Sequence, residues 1–161
     1  MKIPNDLVQR EIYGATMPFS KEVKDVYVRV VLGVAAADGD LSEAERTHFA
    51  AIAKANGEPD DEILRWCAFD PKKSDLAADV AELRKLLGTS AAYAFIYDAI
   101  RIARVDGFHA KEREAAVKLA ARFDVPASVV AQTERLLELE DAVRAMRVQL
   151  FFPEGSNFHA K

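Results

Sequence analysis

Two short acidic stretches carry most of the chemistry this sequence can offer. The first is Asp38-Gly39-Asp40-Leu41-Ser42-Glu43-Ala44-Glu45, and the second is Asp106-Gly107-Phe108-His109-Ala110-Lys111-Glu112. Closely spaced carboxylates supply the hard oxygen ligands that divalent cations take. The first stretch matches the second half of a calcium-binding EF-hand loop: Asp38 as the fifth loop position, Gly39 as the turn glycine, Leu41 as the apolar eighth and Glu45 as the terminal bidentate ligand. The first half of that loop is missing, because Val34 and Ala36 stand where its first and third ligands belong. In the second stretch those places hold Ile102 and Arg104, and the glutamate slips by one. An ordinary EF-hand is excluded, whereas a cation site of another design stays open.

The same residues also read as helix boundaries. Gly39 and Gly107 fit the left-handed residue that closes a helix, Ser42 fits an N-cap, and Ser42-Glu43-Ala44-Glu45 has the spacing of a capping box. Asp38 and Asp106 fit this less well, because a carboxylate at a helix C-terminus opposes the dipole unless it reaches forward to cap the next helix. Capping and cation binding both remain as readings of the turns.

Other reactive groups are scattered. His48, His109 and His159 form no zinc pattern with Cys67. His109 beside Asp106 and Glu112 could join a metal site or be a solvated turn residue. Cys67 reads as a packed thiol, since nothing in the sequence nominates a base to activate it. Tyr93, Tyr97, Arg101 and Arg104 follow one side of a helix, as a partner surface or as ordinary packing. There is no glycine-rich phosphate loop and no nucleophile elbow. A metal-dependent hydrolase is the least favoured reading, because di-metal bundle sites draw a Glu-x-x-His motif from each of two helices and the chain does not supply such a pair. The expectation is a protein without catalytic residues.

The elements that must position these turns are helices. Val23, Val26, Tyr27, Val30, Val31 and Val34 recur at helical spacing in a helix predicted from Lys21 to about Ala37, with Ser20 as its cap. Further helices are predicted over about 5–13, from Ser42 to Asn56, from Pro59 through Cys67, over Leu76–Leu87, from a Thr89 or Ser90 cap to Val105, over Ala110–Phe123, and from Pro126 to about Leu150. The 89–105 helix is apolar nearly all round and should be the most buried. Residues 151–161 read as an irregular tail. The sum is one all-α domain spanning 1–161 with seven to eight helices. Within it, 20–66 and 89–133 read as two copies of one unit: 31–39 aligns with 99–107, and after the turn Glu45 pairs with Glu112, Arg46 with Arg113 and Pro59 with Pro126.

Composition narrows the setting. The 161 residues suffice for a core without staples, half of them are hydrophobic and the formal net charge is -4. No basic stripe exists, which argues against nucleic acid as partner. A lone cysteine and an N-terminus without an apolar signal core predict a cytoplasmic protein. The longest apolar run, Val26 to Ala37, is too short for a membrane span and predicts no insertion.

Ala35-Ala36-Ala37-Asp38-Gly39-Asp40-Leu41-Ser42-x-x-Glu45-Arg46 resembles the first signature of TerB-like tellurite-resistance proteins, and Arg104-Val105-Asp106-Gly107-Phe108-His109-Ala110-Lys111-Glu112-Arg113-Glu114 the second. The likeness covers roughly residues 20–126. It implies an all-α fold of seven or eight helices and a link to tellurite, phage and colicin resistance. A related domain opens a membrane-associated DnaJ-type co-chaperone. The family's acidic residues are regarded as a candidate metal site, which carries over to Asp38, Asp40, Glu45, Asp106 and Glu112. Two departures stand out: the second turn is one residue shorter, and His109 is expected where the first copy has Leu41. The expectation is a non-enzymatic stress-response binding module whose acidic turns take a divalent cation (Ca²⁺, Mg²⁺, Mn²⁺ or Zn²⁺) or a basic protein partner, with a homo-oligomer possible. The alternative is a structural interaction scaffold whose acids are caps.

Overall fold

The structure is a computed structural model that describes residues 7–152 except 15, 17 and 90. Among them eight α-helices and two short 3-10 turns account for all regular structure. They are α1 (Leu7–Tyr13), α2 (Lys21–Ala35), α3 (Glu43–Ala55), α4 (Asp60–Cys67), α5 (Leu76–Leu87), α6 (Ala92–Ala103), α7 (Ala110–Arg122) and α8 (Ser128–Phe151). The 3-10 turns are Ala36–Asp38 and Pro71–Lys73.

Helices α2 and α6 form the centre. α2 packs on α5 and α6, and α6 in turn carries α7 and α8. In α2, Val30, Val31, Leu32 and Val34 are fully buried, as are Phe95, Ile96, Ala99, Ile100 and Ala103 in α6. A valine-rich segment has modest intrinsic helix propensity, so burial on several sides stabilises α2 more than its own backbone preference does. Gly33 lets α5 approach: a Cβ there would lie 2.9 Å from Leu76 Cδ1. Local caps set the starts. Ser20 Oγ accepts the Val23 N–H at 3.3 Å, and Asp75 Oδ1 accepts those of Ala77 and Ala78 at 3.0 and 3.2 Å.

Several boundaries differ from the sequence reading. α6 starts at Ala92 without a side-chain cap. It ends at Ala103 rather than Val105, because the chain tightens there: the Val105 N–H reaches back only to the Ile102 carbonyl at 3.2 Å. α2 stops at Ala35 for the same reason and passes into the 3-10 turn. α8 runs on through Phe151, so the expected tail shortens to 153–161, which, like residues 5 and 6 of the first predicted helix and the Ser90 cap, lies outside the described residues. No helix among the described residues is long and apolar enough to cross a membrane.

Candidate functional site

Each acidic turn is built in the same steps. The preceding central helix tightens, a glycine with positive φ reverses the chain (Gly39 at 138°, Gly107 at 126°), and the next helix begins with a glutamate at its third position. A φ in this range favours glycine, which explains both Asp-Gly pairs locally. In the first turn Ser42 Oγ accepts the Glu45 N–H at 3.1 Å, while Glu45 Oε2 accepts the Ser42 N–H at 2.7 Å. That is a complete capping box. In the second, Glu112 Oε2 accepts the His109 N–H at 2.6 Å.

This arrangement corrects the expected register. His109 stands where Ser42 does, at the residue before the helix, and Phe108 takes the place of Leu41. Leu41 is buried and Phe108 packs partly buried against the core, so the hydrophobic anchor of each turn sets the alignment. The residue without a counterpart is therefore Asp40.

The five predicted ligands separate into three groups. Glu45 and Glu112 are buried, at 2% and 1% exposure. Burial, aided by Asp106 and Glu112, pushes the Glu45 carboxyl up to about 7 against the two Ser42 hydrogen bonds. Burial likewise raises Glu112, aided by Asp38 and Asp106. Those effects put Asp106 and Glu112 within electrostatic reach of Glu45, and Asp38 and Asp106 within reach of Glu112. Asp38 and Asp106 form the exposed rim of this cluster. Asp40 faces elsewhere, pairing with Lys72 Nζ at 2.6 Å on the surface.

Glu45 Oε1 is the one buried carboxylate oxygen without a hydrogen-bond partner among the described residues. An unpartnered oxygen within electrostatic reach of Asp106 and Glu112 suits an incoming positive charge. The geometry falls short of a finished coordination sphere, however: no group of three or more His, Cys, Asp or Glu among the described residues is placed to hold a metal ion. Asp38 and Asp106 would have to turn inward, or a cation would have to keep its water shell, as Mg²⁺ usually does.

Neighbouring residues resolve into packing. The one Glu-x-x-His spacing, Glu45 to His48, belongs to no metal-holding group among the described residues, and burial with the guanidiniums of Arg101 and Arg144 holds the His48 imidazole below its usual range. Arg46 Nη1 binds the carbonyls of Cys67 and Phe69 behind α4. Arg113 pairs with Glu134 of α8 at 2.6 Å and lies over the Phe108 ring at 5.1 Å. Cys67 is half-buried, and burial pushes its thiol up, away from a reactive thiolate. On the row of aromatic and Arg residues in α6, Tyr97 donates to Glu140 Oε2 at 2.8 Å and Arg104 pairs with Asp141 at 2.9 Å. That row seats α8.

The sequence reading missed a second acidic centre. Asp98 is 2% exposed within α6 and accepts hydrogen bonds from Tyr13 of α1, at 2.7 Å, and from Tyr27 of α2. Burial pushes its carboxyl up to about 6 despite those donors and Arg101. The available signal was the single carboxylate of a helix that is apolar nearly all round, a place where burial demands a partner.

Neither a protein-family model nor a curated protein sequence matches the chain. Among solved structures, a tellurite resistance protein from Nostoc punctiforme has a similar fold, with a TM-score of 0.79 and 24% identity, over 96% of this chain and 95% of that one. The likeness is one of fold along the whole length.

Proposed function

We propose that this chain is a TerB-like binding module of the tellurite-resistance type, without catalytic activity, whose paired acidic turns take a positive charge. That charge is a divalent cation or a Lys or Arg side chain of a protein partner. The fold shared with a tellurite resistance protein supports the general role. The specific reading rests on one observation: Glu45 Oε1 is buried without a partner, in a carboxyl that feels the charges of Asp106 and Glu112. Buried like charges disfavour ionisation, and a cation placed among them relieves the repulsion. Docking at these turns then depends on ions and pH.

A second reading, a scaffold whose acids are helix caps, is favoured by the bonds from Ser42 and His109 N–H to Glu45 and Glu112. Isothermal titration of metal-stripped protein with Ca²⁺, Mg²⁺, Mn²⁺ and Zn²⁺ separates the two when repeated on D38N/D106N. Binding that the variant loses supports the cation site. If no ion binds and the variant keeps all its protein contacts, the scaffold reading replaces it.

A further inference from the structure

Helix α8 leaves the body half-way along its length. Its inner face, Val130, Thr133 and Leu137, is buried, and the last polar links to α6 are made by Glu140 and Asp141. Beyond them every residue from Asp141 to Arg147 is exposed. Along the outer face of α8, starting in its docked half, Leu136, Leu139, Val143, Met146 and Leu150 are 48, 53, 46, 67 and 76% exposed. Their spacing alternates three and four residues, the a/d pattern of a coiled-coil seam. At about 100° per residue the stripe lies roughly 130° around the helix from the buried face, so the body to which α8 is attached cannot cover it. It is about 21 Å long at 1.5 Å per residue. A seam of this kind marks an association surface.

We propose that the stripe pairs with the same stripe of a second copy, with the two α8 helices antiparallel. Charge and shape choose this occupant and orientation. Antiparallel packing sets Val143 against the partner copy's Met146 and Leu139 against its Leu150, with the symmetric contacts repeated. The flanking positions on one side are Glu140 and Arg147, and in this register each faces its opposite across the two-fold axis, giving two attractive pairs. On the other side Ala142 meets Gln149 without conflict. Parallel pairing would bring both bodies to the same end of the stripe, where α8 is already seated on α6. The antiparallel arrangement holds them at opposite ends.

Analytical ultracentrifugation of the full chain over a wide concentration range tests this. A mass that rises to that of a dimer is expected, with M146E held as a monomer that keeps its helical circular dichroism. R147E sets like charges face to face and is expected to weaken the dimer on the order of fivefold, while E140K/R147E restores it. A chain that stays monomeric at every concentration overturns the proposal. So does a dimer indifferent to M146E, or one that R147E weakens and E140K/R147E fails to rescue, since another surface or another pairing then holds it.

Discussion

Glu45 and Glu112 stand 67 residues apart in the chain, each at the third position of its helix, yet both are buried, and the charge of Glu112 helps to raise the Glu45 carboxyl to about 7. Each also accepts the backbone N–H of the residue before its helix. One oxygen of Glu45 therefore serves the fold, and the other is left over.

Protonation of Glu45 should be visible in stability. Its carboxyl sits at about 7 in the fold against 4.5 for an unperturbed glutamate. The protonated form is therefore favoured by folding. That contribution is fully present below about pH 4.5 and is lost as pH rises through about 7. E45Q keeps an acceptor for the Ser42 N–H but carries no charge. Chemical denaturation should find it on the order of 1–3 kcal/mol more stable than the parent at pH 8 and equal to it near pH 4. A constant difference across that range would mean that folding does not shift the Glu45 carboxyl.

Caps and rim charges should separate by mutation. S42A removes the acceptor for the Glu45 N–H and is expected to cost about 1 kcal/mol. D38N leaves stability within about 0.5 kcal/mol, because Asp38 is exposed and its single bond, to the Asp40 N–H, is long at 3.5 Å. Thermal unfolding in metal-free buffer compares the two directly. A large loss in D38N would make that aspartate structural.

The turn glycines should resist substitution on both sides alike. G39A and G107A each place a side chain at positive φ, and neither has a steric clash to add at the built Cβ. A loss of about 1–2 kcal/mol apiece is expected from backbone strain alone. Urea midpoints at unchanged m-value would show it.

Asp98 should matter more for stability than any rim acid. D98A strands the hydroxyls of Tyr13 and Tyr27 and should cost roughly 2–4 kcal/mol, whereas D98N keeps partners for both and costs less. The pH dependence runs in the same sense as for Glu45: burial raises Asp98 from 3.8 to about 6, so stability is lost as pH rises between those values. D98N should flatten that part of the profile, and equal losses in the two variants would show that the tyrosines find other partners.

Much of the fold is legible in the sequence because its signals are local. Apolar residues recur every three to four positions, Ser20, Ser42 and Asp75 precede helices, and Gly39 and Gly107 mark reversals, so helix number and type follow from neighbours within a turn or two. Helix ends were less legible. α2 and α6 tighten before the Asp-Gly pairs, and only the packing of the turns onto α7 and the core decides where the α-helical bonds stop.

The site divides in the same way. The sequence by itself determined two acidic turns, their glycines and the capping glutamates, since a cap involves groups three residues apart. Tertiary structure alone decided which acids are buried and which feel one another's charge. It buried Glu45 with Glu112, left Asp38 and Asp106 on the rim, turned Asp40 to Lys72, and set Asp98 between tyrosines as far as 85 residues away. The state of a carboxylate depends on the water it loses and the charges it gains, and both come from parts of the chain that only the fold brings near.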